Sequence, residues 1–159
     1  MSSTMRPVQV PSSKLAPVEQ AEAHALVATF FDALGHFAGE LPVMAEVVGV
    51  LAAGAQIEEL DGDEGEVVRY TRDGWRAQLA ASAERRRRGR QGYFLEEVER
   101  TISPAALEVR VRSVVEARLT RGDAVERVEL LYCAMLVRRV GRRVGIVHLR
   151  VERGGAEAS

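Results

Sequence analysis

The sequence predicts an α+β fold in which helices from the first half of the chain cover a sheet built mainly from the second half. In three segments between Val18 and Arg87, apolar residues recur every three or four positions, as in amphipathic helices. From Ala105 to Glu152, apolar and charged residues alternate, and Gly122-Asp123 and Gly141-Arg142 separate three runs. This pattern predicts an antiparallel meander. Because such a sheet must bury at least one face, we expect the helices to pack on it.

The composition bounds the class of protein. At 159 residues, with 47% hydrophobic and 28% charged residues, the chain has the size of one globular domain. It has no apolar run of the roughly 20 residues that span a membrane, and its N-terminus lacks an apolar signal core, so we expect a cytoplasmic protein without a membrane partner. A net charge of −1 disfavours nucleic acid as a partner. The single cysteine, Cys133, excludes an internal disulfide and a cysteine-rich metal site.

The elements before the meander follow from local signals. Pro42 in the first turn favours a second helix that Gly54 ends, and Asp73 is a good N-cap for a third helix. One domain is expected over residues 18–153. The predicted segments are a disordered tail at 1–17, helices at 18–38, 43–53 and 74–87, strands at 55–60, 67–71 and 93–102, the meander, and a second disordered tail at 154–159.

Two charged features allow more than one interpretation. Asp32 and His36, four residues apart, can meet on one helix face and orient a general base, although a solvated pair is favoured. The arginines of residues 85–90 favour a solvated helix end, where they complement the helix dipole; an anionic partner is the alternative. The acidic loop 61–66 lacks the ligand pattern of a calcium loop and is expected to be a solvated turn.

The second run of the meander is apolar on both faces, which indicates that both are covered. The helices can cover one face, and the chain has no further element for the other. We therefore expect a homodimer through the outer face of the sheet. The inner set is Leu131, Cys133, Met135 and Val137, and the outer set is Leu130, Tyr132, Ala134 and Leu136.

The order of elements resembles the NTF2-like superfamily, and within it the SnoaL-like group, which includes ketosteroid isomerases and polyketide cyclases. The resemblance rests on Phe30-Phe31-x-Ala33-Leu34 in the first helix, on the hairpin after the second helix, and on the ending Val144-Gly145-Ile146-Val147-His148-Leu149. It implies a cone-shaped barrel in which a strongly bent antiparallel sheet wraps around the first helix and leaves a hydrophobic cavity. It also implies dimers and no metal or organic cofactor.

Taken residue by residue, the resemblance implies one catalytic carboxylate. Glu59 takes the place of the isomerases' base, whereas Phe30 stands at the oxyanion tyrosine and Met135, or Cys133, at the partner acid. Glu58 and Glu59 are adjacent on a predicted strand, so one of them should point inward. A lone Glu59 in an apolar cavity could be a base with a raised pKa.

Strand alternation predicts the remaining pocket residues. In the last strand Val147, Leu149 and Val151 share the face that should meet the cavity, and Ile146 and His148 point outward. The expected pocket or rim residues are Phe30, Tyr70, Trp75, Tyr132, Met135, Val147 and Leu149.

Two functions are compatible with these observations. One is a protein that binds a hydrophobic small molecule, with cofactor-free isomerase, cyclase or dehydratase chemistry on a polyketide- or terpenoid-like substrate. The alternative is a non-catalytic association module of the same fold. A ligand-sized cavity with a carboxylate in its wall would favour the first.

Overall fold

The computed structural model describes residues 18–61 and 65–154, which form three helices and one six-stranded sheet. The disordered tail predicted at 1–17, all but the first residue of the tail predicted at 154–159, and the centre of the acidic loop lie outside these residues. Gly154 donates its backbone N–H to the Leu130 carbonyl at 2.9 Å. The elements are α1 (Gln20–His36), α2 (Leu41–Gly49), β1 (Leu51–Asp61), β2 (Val67–Thr71), α3 (Arg72–Arg88), β3 (Gln91–Pro104), β4 (Glu108–Arg121), β5 (Ala124–Val140) and β6 (Arg143–Arg153).

The sheet is open, with strand order β2-β1-β6-β5-β4-β3. Neighbouring strands are antiparallel except β1 and β6, which run parallel. The predicted α+β architecture with three helices on a sheet is therefore confirmed, with one parallel pair in an otherwise antiparallel sheet. That pair brings the β1 glutamates beside the last strand of the meander.

Helix starts are set by capping groups. At α1 the Glu19 N–H donates to the Glu22 carboxylate at 3.0 Å, within a capping box. At α3 the N-cap is Thr71, whose hydroxyl accepts the Gly74 N–H at 3.0 Å. Asp73, the predicted N-cap, lies instead in the first turn, where its charge complements the helix dipole.

The predicted end of α2 at Ala53 is wrong. The helix ends at Gly49, and β1 begins at Leu51. Leu51 is in register with Ile146 of β6, and the Val50 carbonyl accepts the Ile146 N–H at 2.9 Å. Pairing with β6 therefore overrides the helical propensity of this alanine-rich segment.

The two predicted turns of the meander are present. Gly122 and Gly141 lie at the first central position of two-residue turns with φ of 62° and 63°. Only glycine adopts this geometry at little cost, as hairpin turns of type II′ require. The turns fix the register of β4, β5 and β6 and so determine which side chains face the helices.

A bulge in β6 corrects the predicted alternation. The pairing passes from Leu136↔His148 to Val137↔Ile146, so Val147 has no partner in β5. Ile146, predicted to face outward, is consequently buried in the core together with Leu149.

A partly buried polar network joins α1 to the sheet. The Glu97 carboxylate on β3 accepts hydrogen bonds from the Ser113 hydroxyl at 2.6 Å and from Arg100, with Nε at 2.8 Å. Arg100 also donates to the His24 carbonyl on α1 at 3.1 Å. The Glu97 and Arg100 side chains are only 13% and 18% exposed. The network thus joins one helix to two strands.

Candidate functional site

An apolar cavity of about 480 Å³ lies between α1, α3 and the inner face of the sheet. This volume falls within the range of small-molecule sites. The aromatic side chains form a continuous cluster: the rings of Phe30 and Phe31 pack edge to face at 5.2 Å, and Phe30 stacks on Trp75 at 6.1 Å. Other apolar residues that line the cavity are Leu34, Leu79, Leu95, Val115, Leu131, Cys133 and Leu149.

Glu59 lies in the wall of this cavity. Its Oε2 accepts a hydrogen bond from Trp75 Nε1 at 3.0 Å. Burial, followed by the charge and hydrogen bonding of Glu59, raises the pKa of Tyr70, so a neutral hydroxyl lies beside the carboxylate. The neighbouring Glu58 faces the other side of the sheet, where it pairs with Arg69 at 3.1 Å and contacts His148 Nε2 at 3.4 Å. Strand alternation therefore separates two adjacent glutamates into one inner and one outer carboxylate.

A second carboxylate, Glu129 on β5, lines the cavity and was missed by the sequence analysis. Its residue is 5% exposed, and its two oxygens bind Arg127 at 2.9 Å and Arg153 at 3.0 Å. It lies on the same face of β5 as Cys133 and Met135, the positions aligned with the partner acid. Extending that alternation toward the start of β5 would have found it.

Tyr93 and Arg86 form the third polar feature of the wall. Tyr93 begins the inward alternation of β3 that continues at Leu95, and both side chains line the cavity. Burial is the main cause that raises the pKa of Tyr93, so its phenol stays protonated at neutral pH. The guanidinium carbon of Arg86 lies 4.6 Å from the centre of the Tyr93 ring, a cation–π contact.

The predicted pocket residues occupy different environments. Phe30, Trp75 and Leu149 line the cavity. Tyr70 packs against the core beside Glu59 and does not line the cavity, and Met135 is buried in the core. Neither side chain is therefore part of the cavity wall, and their predicted role as pocket or rim residues stays a prediction.

Two further residues of the predicted set lie outside the cavity wall. Val147, in the β6 bulge, does not line the cavity. Tyr132 is 47% exposed on the outer face of β5, so it is neither a pocket nor a rim residue. Cys133 does line the cavity, where burial raises the pKa of its thiol to about 12. The thiol therefore stays protonated and is a poor nucleophile.

The arginine cluster at 85–90 divides into two groups. Arg85 and Arg86 line the cavity. Arg87 and Arg88 pair with Glu84 at 2.7 and 3.4 Å on the solvent side of α3. Arg85, Arg87, Arg88 and Arg90 are exposed, as expected for the solvated helix end that the sequence favoured, and Arg86 alone of the five arginines is partly buried. The side chain of His36 lies outside the described residues, so the Asp32–His36 pair stays a prediction.

Within residues 18–61 and 65–154, no group of three or more His, Cys, Asp or Glu side chains is arranged to hold a metal ion. None of the three helices in this part of the chain is long and apolar enough to cross a membrane.

Comparison with known proteins gives a structural likeness without close sequence similarity. No protein-family profile matches the sequence, and no curated protein is significantly similar to it. A solved structure of the β subunit of benzoate 1,2-dioxygenase from Burkholderia mallei matches with a TM-score of 0.67 and 13% identity, covering 86% of this chain and 91% of that one. Aln2 from a Streptomyces species matches with a TM-score of 0.63 and 16% identity, over 86% and 93% of the two chains.

A third match names the fold. An NTF2-like protein of unknown function from Pseudomonas putida matches with a TM-score of 0.60 and 13% identity, over 84% of both chains. Identities this low establish the fold alone. The arrangement of helices and sheet around the cavity is accordingly the NTF2-like fold.

Proposed function

We propose that the protein binds a hydrophobic small molecule in the cavity and that Glu59 acts as a general base in cofactor-free proton transfer. The reaction would be an isomerisation, cyclisation or dehydration of a polyketide- or terpenoid-like substrate, as in SnoaL-like proteins. The observation that carries the proposal is the position of the Glu59 carboxylate in the wall of an apolar cavity. Among the described residues it has no arginine partner; Trp75 orients it with a neutral N–H.

The surrounding groups support this chemistry. Removing a proton next to a carbonyl requires a base and a donor for the oxyanion that forms. The donors expected from the resemblance are absent at Phe30 and Met135. Tyr93 offers a protonated phenol in the same cavity wall, on β3, where the resemblance implied no donor. Tyr93 is therefore the proposed oxyanion donor.

If the cavity is empty in the free protein, enlarging a side chain in its wall should affect stability less than enlarging one in the packed core. Two positions on the inner face of β5 allow this comparison. Leu131 lines the cavity, whereas Val137 is fully buried in the packed core. Leu131→Phe is expected to change the free energy of unfolding by less than about 1 kcal/mol, because the extra atoms enter empty space. Val137→Phe should cost about 2–3 kcal/mol by overpacking.

Chemical denaturation measures both stabilities. Binding of hydrophobic ketones is measured by titration, followed by the fluorescence of Trp75, the only tryptophan. Leu131→Phe should weaken this binding. Equal destabilisation by the two variants would show that the cavity is filled in solution, and the binding proposal would fail.

A specific observation also favours association through the outer face of the sheet. Tyr132 is exposed there, and the surrounding Val114, Leu130, Ala134 and Leu136 side chains are only partly buried. Exposed apolar patches of this kind mark interfaces. We propose a homodimer through this face, which is compatible with either function of the cavity. One of the structural matches is itself a subunit of a dioxygenase, which agrees with association.

The dimer is tested by the molar mass in solution. The wild-type chain is expected to sediment as a dimer, which needs about 800 Å² of buried surface on each protomer. Tyr132→Arg should shift it to a monomer, because a charge would be buried in the interface. Leu41→Arg is the matched control, since Leu41 is 76% exposed on α2, in the helical layer. A monomeric wild-type chain at all concentrations would contradict the dimer.

A further inference from the structure

We infer that the ligand of this cavity is a hydrophobic carboxylate whose anionic group binds Arg86. This inference rests on the proposed binding function and adds the chemical class of the ligand. It assigns a role to Arg86, the arginine of the cluster that lines the cavity and is partly buried.

The surroundings of Arg86 carry the inference. Its side chain is partly buried, lines the cavity, and lies against the face of Tyr93 at 4.6 Å. Among the described residues it has no carboxylate partner and no hydrogen bond. Desolvation lowers the pKa of Arg86, which reflects the cost of burying the charge. Cations that lose water without a partner are rare in proteins, because burial of a charge is costly unless it is paired.

The other charges of the wall do not neutralise Arg86. Four arginines and two glutamates line the cavity, which leaves an excess of two positive charges. Both oxygens of Glu129 are already occupied by Arg127 and Arg153. Glu59 bonds to Trp75. The missing counter-ion of Arg86 is therefore expected to come with the ligand.

The remaining polar groups make this side of the cavity suited to an anion. Arg85 also lines the wall, and its only hydrogen bond among the described residues is to the Ser82 hydroxyl, at 3.0 Å. Gln78 and Gln91 line the cavity as well. A guanidinium binds carboxylates through two parallel N–H···O bonds, and the apolar wall around Phe30 and Leu131 accommodates the rest of an amphipathic molecule. A carboxylate with a hydrocarbon or aromatic body matches both the arginines and the apolar wall.

Isothermal titration calorimetry on the full chain tests the inference with two matched ligand pairs, decanoate with 1-decanol and 4-biphenylacetate with 2-(4-biphenylyl)ethanol. The acids are expected to bind about ten to a hundred times more tightly than the alcohols, the range of a hydrogen bond to a charged group. Arg86→Gln should remove this preference and leave the affinity for the alcohols unchanged. Arg88→Gln, two residues further along α3 and paired with Glu84, should preserve the preference.

The outcomes separate this inference from the function on which it rests. Equal affinity of the wild-type chain for acid and alcohol would overturn carboxylate recognition while leaving hydrophobic binding in place. A preference that survives in folded Arg86→Gln would overturn the role of Arg86. The comparison of acid with alcohol in the wild-type chain keeps the test valid if the variant does not fold. Failure of all four compounds to bind would overturn the proposed binding function together with the inference.

Discussion

Replacing Glu59 with glutamine is expected to lower the rate of proton transfer in the cavity by about 10²- to 10⁴-fold, the usual contribution of a positioned general base. The amide has the shape of the carboxylate and can still accept the N–H of Trp75. It cannot accept a proton from carbon at neutral pH. Ligand affinity should therefore change little, so that the loss falls on the chemical step.

The exchange of α-protons for deuterium in a hydrophobic ketone such as 2-tetralone, followed by NMR in D₂O, measures this rate. Glu58→Gln is the matched control, because Glu58 lies on the same strand and pairs with Arg69 on the opposite face. The control should exchange protons at the wild-type rate. If both variants retain the wild-type acceleration, Glu59 is not the base.

Breaking the partly buried network at Glu97 is expected to lower the free energy of unfolding by about 3 kcal/mol. Arg100→Ala would leave a carboxylate that is 13% exposed with only the Ser113 hydroxyl as a partner, and Glu97→Ala would leave the Arg100 charge unpaired. Loss of one member of a buried ion pair costs about 3–5 kcal/mol, and we take the low end because both side chains keep some contact with water.

Two controls identify the cause of this loss. Arg118→Ala breaks solvent-accessible pairs with Glu116 and Glu96 and should cost no more than about 1 kcal/mol. The double variant Glu97→Leu with Arg100→Met should recover most of the stability, since apolar side chains often replace a buried pair without loss. Urea denaturation measures all four variants. A loss below about 1 kcal/mol in both single variants would mean that water reaches the pair and that the network does not hold α1 on the sheet.

The parts of the fold that depend on local chemistry could be predicted from the sequence. Gly122 and Gly141 specify their turns because few other residues adopt a positive φ, and the turns set the meander. Alternation on β1 likewise predicted that only one of Glu58 and Glu59 points inward. These features need only the residue and its immediate neighbours.

The features that were missed depend on partners distant in sequence. β1 begins at Leu51 because β6 pairs with it, and Val147 bulges because of how β5 and β6 pair. Neither can be read from a single segment. Arg86 and Glu129 are charged, and charged residues usually lie at the surface. The packing of α3 against the sheet places Arg86 in the cavity wall, whereas Glu129 lies on the inner face of β5, which strand alternation alone could have indicated.

The most direct test of the central claim uses the indole N–H of Trp75. A chain with one tryptophan gives one indole cross-peak in a ¹H–¹⁵N spectrum, and this N–H donates to Glu59. We predict that 4-biphenylacetate and hydrophobic ketones shift the cross-peak saturably, and that Leu131→Phe weakens the response. A cross-peak that stays in place at ligand concentrations that saturate binding elsewhere on the protein would contradict the claim that the cavity beside Glu59 is the ligand site.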